Sequence, residues 1–116
     1  MNLGIVGYRD FLDEDFIFKK INKWIEKNGK PIKIISGGAT GVDSIAIKYA
    51  KLHEIPYQEF LPDRSLGKNG LLIRNTLIVN HSDVILAFPS QLSKGTFDTI
   101  NKGNKKGIPV IIKYVD

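Results

Sequence analysis

Ser36-Gly37-Gly38-Ala39-Thr40-Gly41-Val42-Asp43 is the stretch whose reading decides the fold. It follows the apolar run Ile32–Ser36 and opens a segment with helical spacing, Val42 to Leu52. Three glycines allow positive φ and close backbone approach. The unpaired N–H groups of a helix start are a natural seat for an anion. The stretch is neither the G-x-G-x-x-G dinucleotide fingerprint nor a P-loop, since no Gly-Lys-Ser/Thr follows. It is a strand, a glycine turn and a helix, the unit from which parallel α/β sheets are built.

The same alternation continues on both sides. Further apolar runs lie at Leu3–Gly7, Ile55–Phe60, Val84–Phe88 and Pro109–Tyr114, rich in Ile and Val, as strands buried on both faces are. Between them lie helical segments. In the first, Ile17, Ile21, Trp24 and Ile25 recur at three- and four-residue steps, acids at Asp13–Asp15 open it, and Asn28-Gly29 with Pro31 close it. The second should bury Ile45, Ala46, Tyr49 and Ala50. The third spans about Lys68 to Asn80 with Leu72, Thr76 and Val79 expected inward. The fourth spans about Thr96 to Lys106 and has Phe97 and Ile100 as its apolar anchors. The expected architecture is α/β: a Rossmann-like three-layer sandwich, with a parallel five-stranded sheet and helices on both faces. It forms one domain over residues 1–116.

Composition bounds the chemistry. The 116 residues carry 17 Lys and Arg against 12 Asp and Glu, a net charge of +5, which suits an anionic partner. Only Arg9, Arg64 and Arg74 are arginines, the residues able to fork onto a phosphate. The absence of Cys excludes disulfides, Cys-ligated metals and thiol nucleophiles. His53 and His81 are far apart in sequence and read as surface or helix-end residues, so no metal site and no cofactor beyond a bound ligand is expected. The N-terminus, Met1 to Gly7, has no basic leader, and no apolar run approaches a membrane span, so a cytoplasmic location is expected.

In sheets of this kind ligands bind beyond the carboxyl ends of the strands. That places Gly7, Tyr8 and Arg9 after the first strand, and Gly37, Gly38, Ala39, Thr40, Gly41 and Asp43 after the second. Gly95 and Thr96 in Ser93-Lys94-Gly95-Thr96 open the fourth helix, a second glycine-bearing helix start on the same edge. Asp43 suits either a favourable helix-start acid or a hydrogen bond to a ribose hydroxyl. Arg74-Asn75 is a polar pair in an apolar helix, between Leu71-Leu72-Ile73 and Leu77-Ile78-Val79, and should point at something specific. Lysines 19, 20, 23, 27 and 30 form a basic face on the first helix, read as solvated or as a nucleic-acid stripe.

Gly7-Tyr8-Arg9, Ser36 to Asp43, Arg74-Asn75, Asp83-Val84-Ile85 and Lys94-Gly95-Thr96, in this order, resemble the SLOG superfamily. That group joins the Smf/DprA DNA-processing proteins to the LOG phosphoribohydrolases. The chain is most similar to its small YspA/YpsA-related branch, with a pattern of G-x-R, S-G-G-A-x-G-x-D, R-N and G-T. The resemblance spans essentially the whole chain. It implies a Rossmann-like fold with a pocket for a nucleotide or nucleotide-derived ligand, of mononucleotide or NAD/ADP-ribose type, and a homodimer. LOG enzymes carry P-G-G-x-G-T-x-x-E with a catalytic Glu. Here Thr99 stands at the Glu position, and Asp98, one residue earlier, is turned ~100° away on a helix. The expected function is therefore ligand binding, in sensing or sequestration. The alternatives are hydrolysis of an N-glycosidic or phosphoanhydride bond, with Asp43 or Asp98 as the acid/base, and a DprA-like grip on single-stranded nucleic acid.

Overall fold

A computed structural model describes residues 1–116. Five strands alternate with four helices: β1 (Asn2–Gly7), α1 (Glu14–Asn28), β2 (Lys33–Ser36), α2 (Val42–Leu52), β3 (Tyr57–Glu59), α3 (Lys68–His81), β4 (Val84–Phe88), α4 (Lys94–Lys106) and β5 (Val110–Ile112). A 3-10 turn, Arg64–Leu66, precedes α3. All pairings are parallel and the strand order is β3-β2-β1-β4-β5. The chain thus winds outward from β1 in one direction and then from β4 in the other. The switch falls between β1 and β4, where Gly7 sits beside Phe88.

Reversing direction puts α1 and α2 on one face and α3 and α4 on the other. Ile17, Ile21 and Trp24 of α1 and Val42, Ile45, Ala46 and Tyr49 of α2 pack on Leu3, Ile5, Ile34 and Leu86. On the other face Ile78, Val79 and Ile100 pack on Val6, Ile35, Ile85 and Ala87. The central strands alternate between the two cores, so all of β4 is buried. That double burial is why the sequence shows apolar runs in place of alternation. The helix punctuation read in α1 is present: Asp13 Oδ1 accepts the Phe16 N–H at 3.2 Å, and Gly29 follows the last turn at φ 88°.

Three details differ from the expectation. The edge strands are shorter, Tyr57–Glu59 for Ile55–Phe60 and Val110–Ile112 for Pro109–Tyr114, because an edge has a ladder on one side only. Helix α4 begins at Lys94, two residues before Thr96, and closes on the sheet where Gly103 lets Val110 approach. Helix α3 is rotated from its expected phase: Asn75, Ile78 and Val79 face inward, whereas Leu72 and Thr76 are exposed. Apolar residues occur all round α3, so periodicity alone does not fix its phase. The phase follows instead from where Asn75 is bonded.

Candidate functional site

The turn between β2 and α2 is stitched to the chain around it. Gly41 (φ 73°) lies against the Tyr8 and Arg9 carbonyls, where a Cβ would collide with backbone. Gly38 (φ 72°) lies equally close to Leu61. At Gly41 a side chain is therefore barred twice, by conformation and by backbone, and at Gly38 chiefly by conformation. Thr40 Oγ1 donates to the Arg9 carbonyl at 3.0 Å, and the Val42 N–H donates to the Tyr8 carbonyl at 3.2 Å. The turn is thus docked onto the end of β1, and its exposed outer rim is Thr40 with the half-buried Gly38 and Ala39.

Asp43 sits beneath this turn, 5% exposed. Its Oδ2 accepts the Ala39 N–H at 3.3 Å, and its Oδ1 finds no hydrogen-bond partner. Burial pushes the carboxyl up to about 7, against the opposing pull of the Ala39 N–H and the Arg74 guanidinium. Gly37 makes this crowding feasible, since a Cβ there would stand 2.7 Å from Arg74 Nη1 and 2.8 Å from Asp43 Oδ2.

Arg74 and Asn75 hold two loops together. Arg74 Nη1 donates to the Gly37 carbonyl, and its Nε donates to Asn75 Oδ1 at 2.9 Å. Asn75 Nδ2 in turn donates to the Gly95 carbonyl at 3.3 Å and to Asp98 Oδ2 at 3.1 Å. A continuous bonded chain therefore runs from the β2–α2 turn, through the middle of α3, to the start of α4. Burial lowers the Arg74 pKa from its usual value while Asp43 counters that shift, so the pair is mutually supporting.

The strut joins the turn that leads into α2 to the start of α4. The N–H groups of Asp43 and Ser44 in α2, and of Gly95 and Thr96 in α4, donate to no backbone carbonyl. That is the usual state of a first turn, and it leaves them for a ligand. Gly95 is exposed, and a Cβ built on it would meet nothing within 4 Å. Its glycine leaves space open, unlike those at 37, 38 and 41, whose space is filled by the protein. Thr96 is 8% exposed, and Thr99 turns its Oγ1 back to the Gly95 carbonyl at 3.3 Å. Gly7 and Tyr8 are half-buried at the end of β1, and the Tyr8 N–H bonds the Phe88 carbonyl at 3.0 Å across the switch point. The Arg9 side chain is exposed beside them.

The other acid singled out from the sequence is already committed. Asp98 Oδ2 pairs with Lys102 Nζ at 2.9 Å besides accepting from Asn75. Leu71 was not among the sequence candidates, yet it lies three and four residues before Arg74 and Asn75, hence on the same helix face one turn nearer the mouth. It is exposed. A recess of about 300 Å³ opens on the outer flank of the same turn, lined by Gly38, Ala39, Ser44, Lys48, Lys51 and Glu59 among others. A second, of about 420 Å³, lies between α3 and α4 with Lys102, Lys105 and Lys106. There the lysines answer the negative end of α4. Lysines 19, 23, 27 and 30 project to solvent, and Lys20 lies 5.4 Å from the centre of the Phe16 ring. His53 stacks on Tyr49 and His81 bonds the Leu77 carbonyl, both on the surface.

Comparison with known proteins settles the family. The profile of the YspA, cpYpsA-related SLOG family matches residues 3–67, more than half of the chain. The chain belongs to this SLOG family. The gene 61 protein of Mycobacterium phage D29 is 28% identical over 120 residues, spanning 92% of this chain and 91% of that protein. Among solved structures, DNA processing protein A of Helicobacter pylori, described for its single-stranded DNA binding, superposes with a TM-score of 0.75 at 21% identity. The match covers 97% of this chain and 64% of that one. The molybdenum cofactor carrier protein of Chlamydomonas reinhardtii gives 0.71 at 21% identity, covering 96% and 75%. These structural likenesses show a shared fold, and the SLOG assignment rests on the profile.

Proposed function

We propose that this SLOG domain binds a nucleotide or nucleotide-derived ligand, of mononucleotide or NAD/ADP-ribose type, and senses or sequesters it. The observation that carries the reading is the bonded chain Gly37–Arg74–Asn75–Gly95. It ties the β2–α2 turn to the start of α4 at the carboxyl edge of the sheet, and the first-turn N–H groups of α2 and α4 donate to no backbone carbonyl. The phosphate is assigned to those amides, the exposed Arg9 to its rim, and Leu71 to the sugar or base. Asp43 supports the turn from beneath. The proposed setting is the cytoplasm.

A thermal-shift panel of AMP, ADP-ribose, NAD, cyclic dinucleotides and single-stranded oligonucleotides tests the reading. Ligand at a hundredfold excess over Kd stabilises by about 2.7 kcal/mol, a shift of several degrees in a chain of this size. A nucleotide should give that shift, and Gly95→Val and Arg74→Ala should remove it. Stabilisation by long oligonucleotides alone, steeply weakened by salt, would replace the reading with nucleic-acid binding.

Asp43 favours a second reading. A buried carboxyl poised near neutrality is the kind of group that serves as a general acid or base. Release of free base or ribose phosphate, lost in Asp43→Asn, would make the domain a hydrolase.

A further inference from the structure

The recess of about 300 Å³ on the outer flank of the β2–α2 turn has neither Arg74 nor Asn75 in its lining. Ser44, Lys48 and Lys51 line it from α2, beside the buried Ile47. Those three polar residues recur at i, i+4 and i+7, so they share one face of the helix, over about 10 Å of its length. Glu59, the last residue of β3, lines the recess as well. Its Oε2 lies 3.0 Å from where a Cβ on Gly38 would stand, hence against the rim of the turn. Lys51 and Glu59 carry opposite charges and line one recess, yet they form no ion pair. Lys51 Nζ rests instead 5.6 Å from the centre of the Tyr57 ring. Lys48 is engaged by Glu14 at 2.9 Å, an exposed pair of a kind that contributes little and exchanges readily.

We infer that this recess binds a sugar phosphate, with the phosphate on the ammonium groups of Lys48 and Lys51 and the sugar hydroxyls on the Glu59 carboxylate and the exposed Ser44 hydroxyl. The mixture of charges selects this chemistry. A bare phosphate would use the lysines but meet the Glu59 carboxylate as a like charge, and a neutral sugar would leave both ammonium groups without a partner. A molecule with an anion at one end and hydroxyl donors at the other satisfies both walls. The volume lies at the small end of the range for ligand pockets, about 300–1,000 Å³, which suits one sugar phosphate. The sugar phosphate arrives free or as the terminal ribose phosphate of a larger nucleotide, since Gly38 and Ala39 of the turn border the recess. The site needs none of the α4 amides, so it stands apart from the nucleotide seat proposed above.

NMR titration of the whole chain with ribose 5-phosphate, and with ribose and inorganic phosphate as single-group probes, tests it. Ribose 5-phosphate should move the amide resonances of Ser44, Lys48, Lys51 and Glu59, and bind at least about tenfold more tightly than either fragment. Lys48→Ala combined with Lys51→Ala should weaken it at least about tenfold, with an unchanged circular-dichroism spectrum because both side chains are exposed. Glu59→Ala should bind inorganic phosphate no worse while losing the preference for the sugar phosphate. Lys105→Ala combined with Lys106→Ala, exposed lysines of the α3–α4 recess, should change nothing. ADP-ribose and AMP separate the two sources. A sugar phosphate carried within a nucleotide makes ADP-ribose bind more tightly than ribose 5-phosphate, and loss of the two lysines then weakens ADP-ribose but not AMP. A free one leaves ADP-ribose no better than ribose 5-phosphate. Ribose 5-phosphate that binds no more tightly than inorganic phosphate, or whose affinity survives the change of both lysines, overturns the inference. Gly95→Val reports on the nucleotide seat alone, so the two readings fail separately.

Discussion

Asp43 is the residue on which the surroundings act most strongly. Its carboxyl is held at about 7 in the folded chain, against 3.8 for the free group. The folded state therefore holds the proton more tightly than the unfolded state between those two values. Stability contributed by the protonated form is full below about pH 4 and is lost as pH rises towards 7. A shift of three units corresponds to about 4 kcal/mol at most. Asparagine cannot ionise, so urea denaturation of wild type and Asp43→Asn should diverge with pH. The wild type should lose ground to the variant between pH 4 and 8, and parallel curves would mean that Asp43 ionises as freely as in water. Arg74 offers a second test at this scale. Replacing it with Lys keeps the charge but loses the fork that joins the Gly37 carbonyl to Asn75. Arg74→Lys should therefore weaken nucleotide binding at least tenfold, measured by titration calorimetry, while Lys102→Ala, which removes the partner of Asp98 and of the Leu72 carbonyl on the far side of the strut, should not.

At the scale of elements, glycines that look alike in sequence do different work. Gly41→Ala meets both a positive φ and the backbone of Tyr8 and Arg9, so urea denaturation should show a loss of at least about 2 kcal/mol. Gly95→Ala meets neither strain nor a neighbour, and in a helix first turn it should be neutral or stabilising by up to about 1 kcal/mol. A large stability loss in Gly95→Ala would show that its space belongs to the protein. Strand–helix alternation was legible because doubly buried strands and capped helices leave clear marks, as in Val84–Phe88 and in Asp13 with Gly29. The rotation of α3 was not legible, because Leu71, Leu72, Ile73 and Leu77 surround the helix and the phase is set by a hydrogen bond from Asn75 to Gly95. The glycine turns could be located from sequence. That three of their glycines face protein atoms and the fourth faces open space depends on contacts from Leu61, Arg74 and Arg9, far along the chain.

At the scale of the whole molecule, the surplus of five positive charges has two parts. Most of it is Lys on helix exteriors and at helix C-terminal ends, where it serves solvation. In the proposed reading the attraction for an anion is concentrated instead in backbone amides and Arg9 at the carboxyl edge of the sheet. Binding of a mononucleotide should consequently depend weakly on salt, with a log–log slope of about −1 to −2, whereas a nucleic-acid track over the α1 lysines would give a far steeper slope.

The central claim is that the ligand sits at the carboxyl edge of the sheet, where Arg74 and Asn75 tie the β2–α2 turn to the start of α4. Amide chemical shifts recorded by NMR during titration with AMP and with ADP-ribose test it most directly. At least one of the two should move the N–H resonances of Asp43, Ser44, Gly95 and Thr96 together, with a single saturation curve. Shifts confined to the α1 lysine face or to the α3–α4 recess, or no shift with either nucleotide, would contradict it.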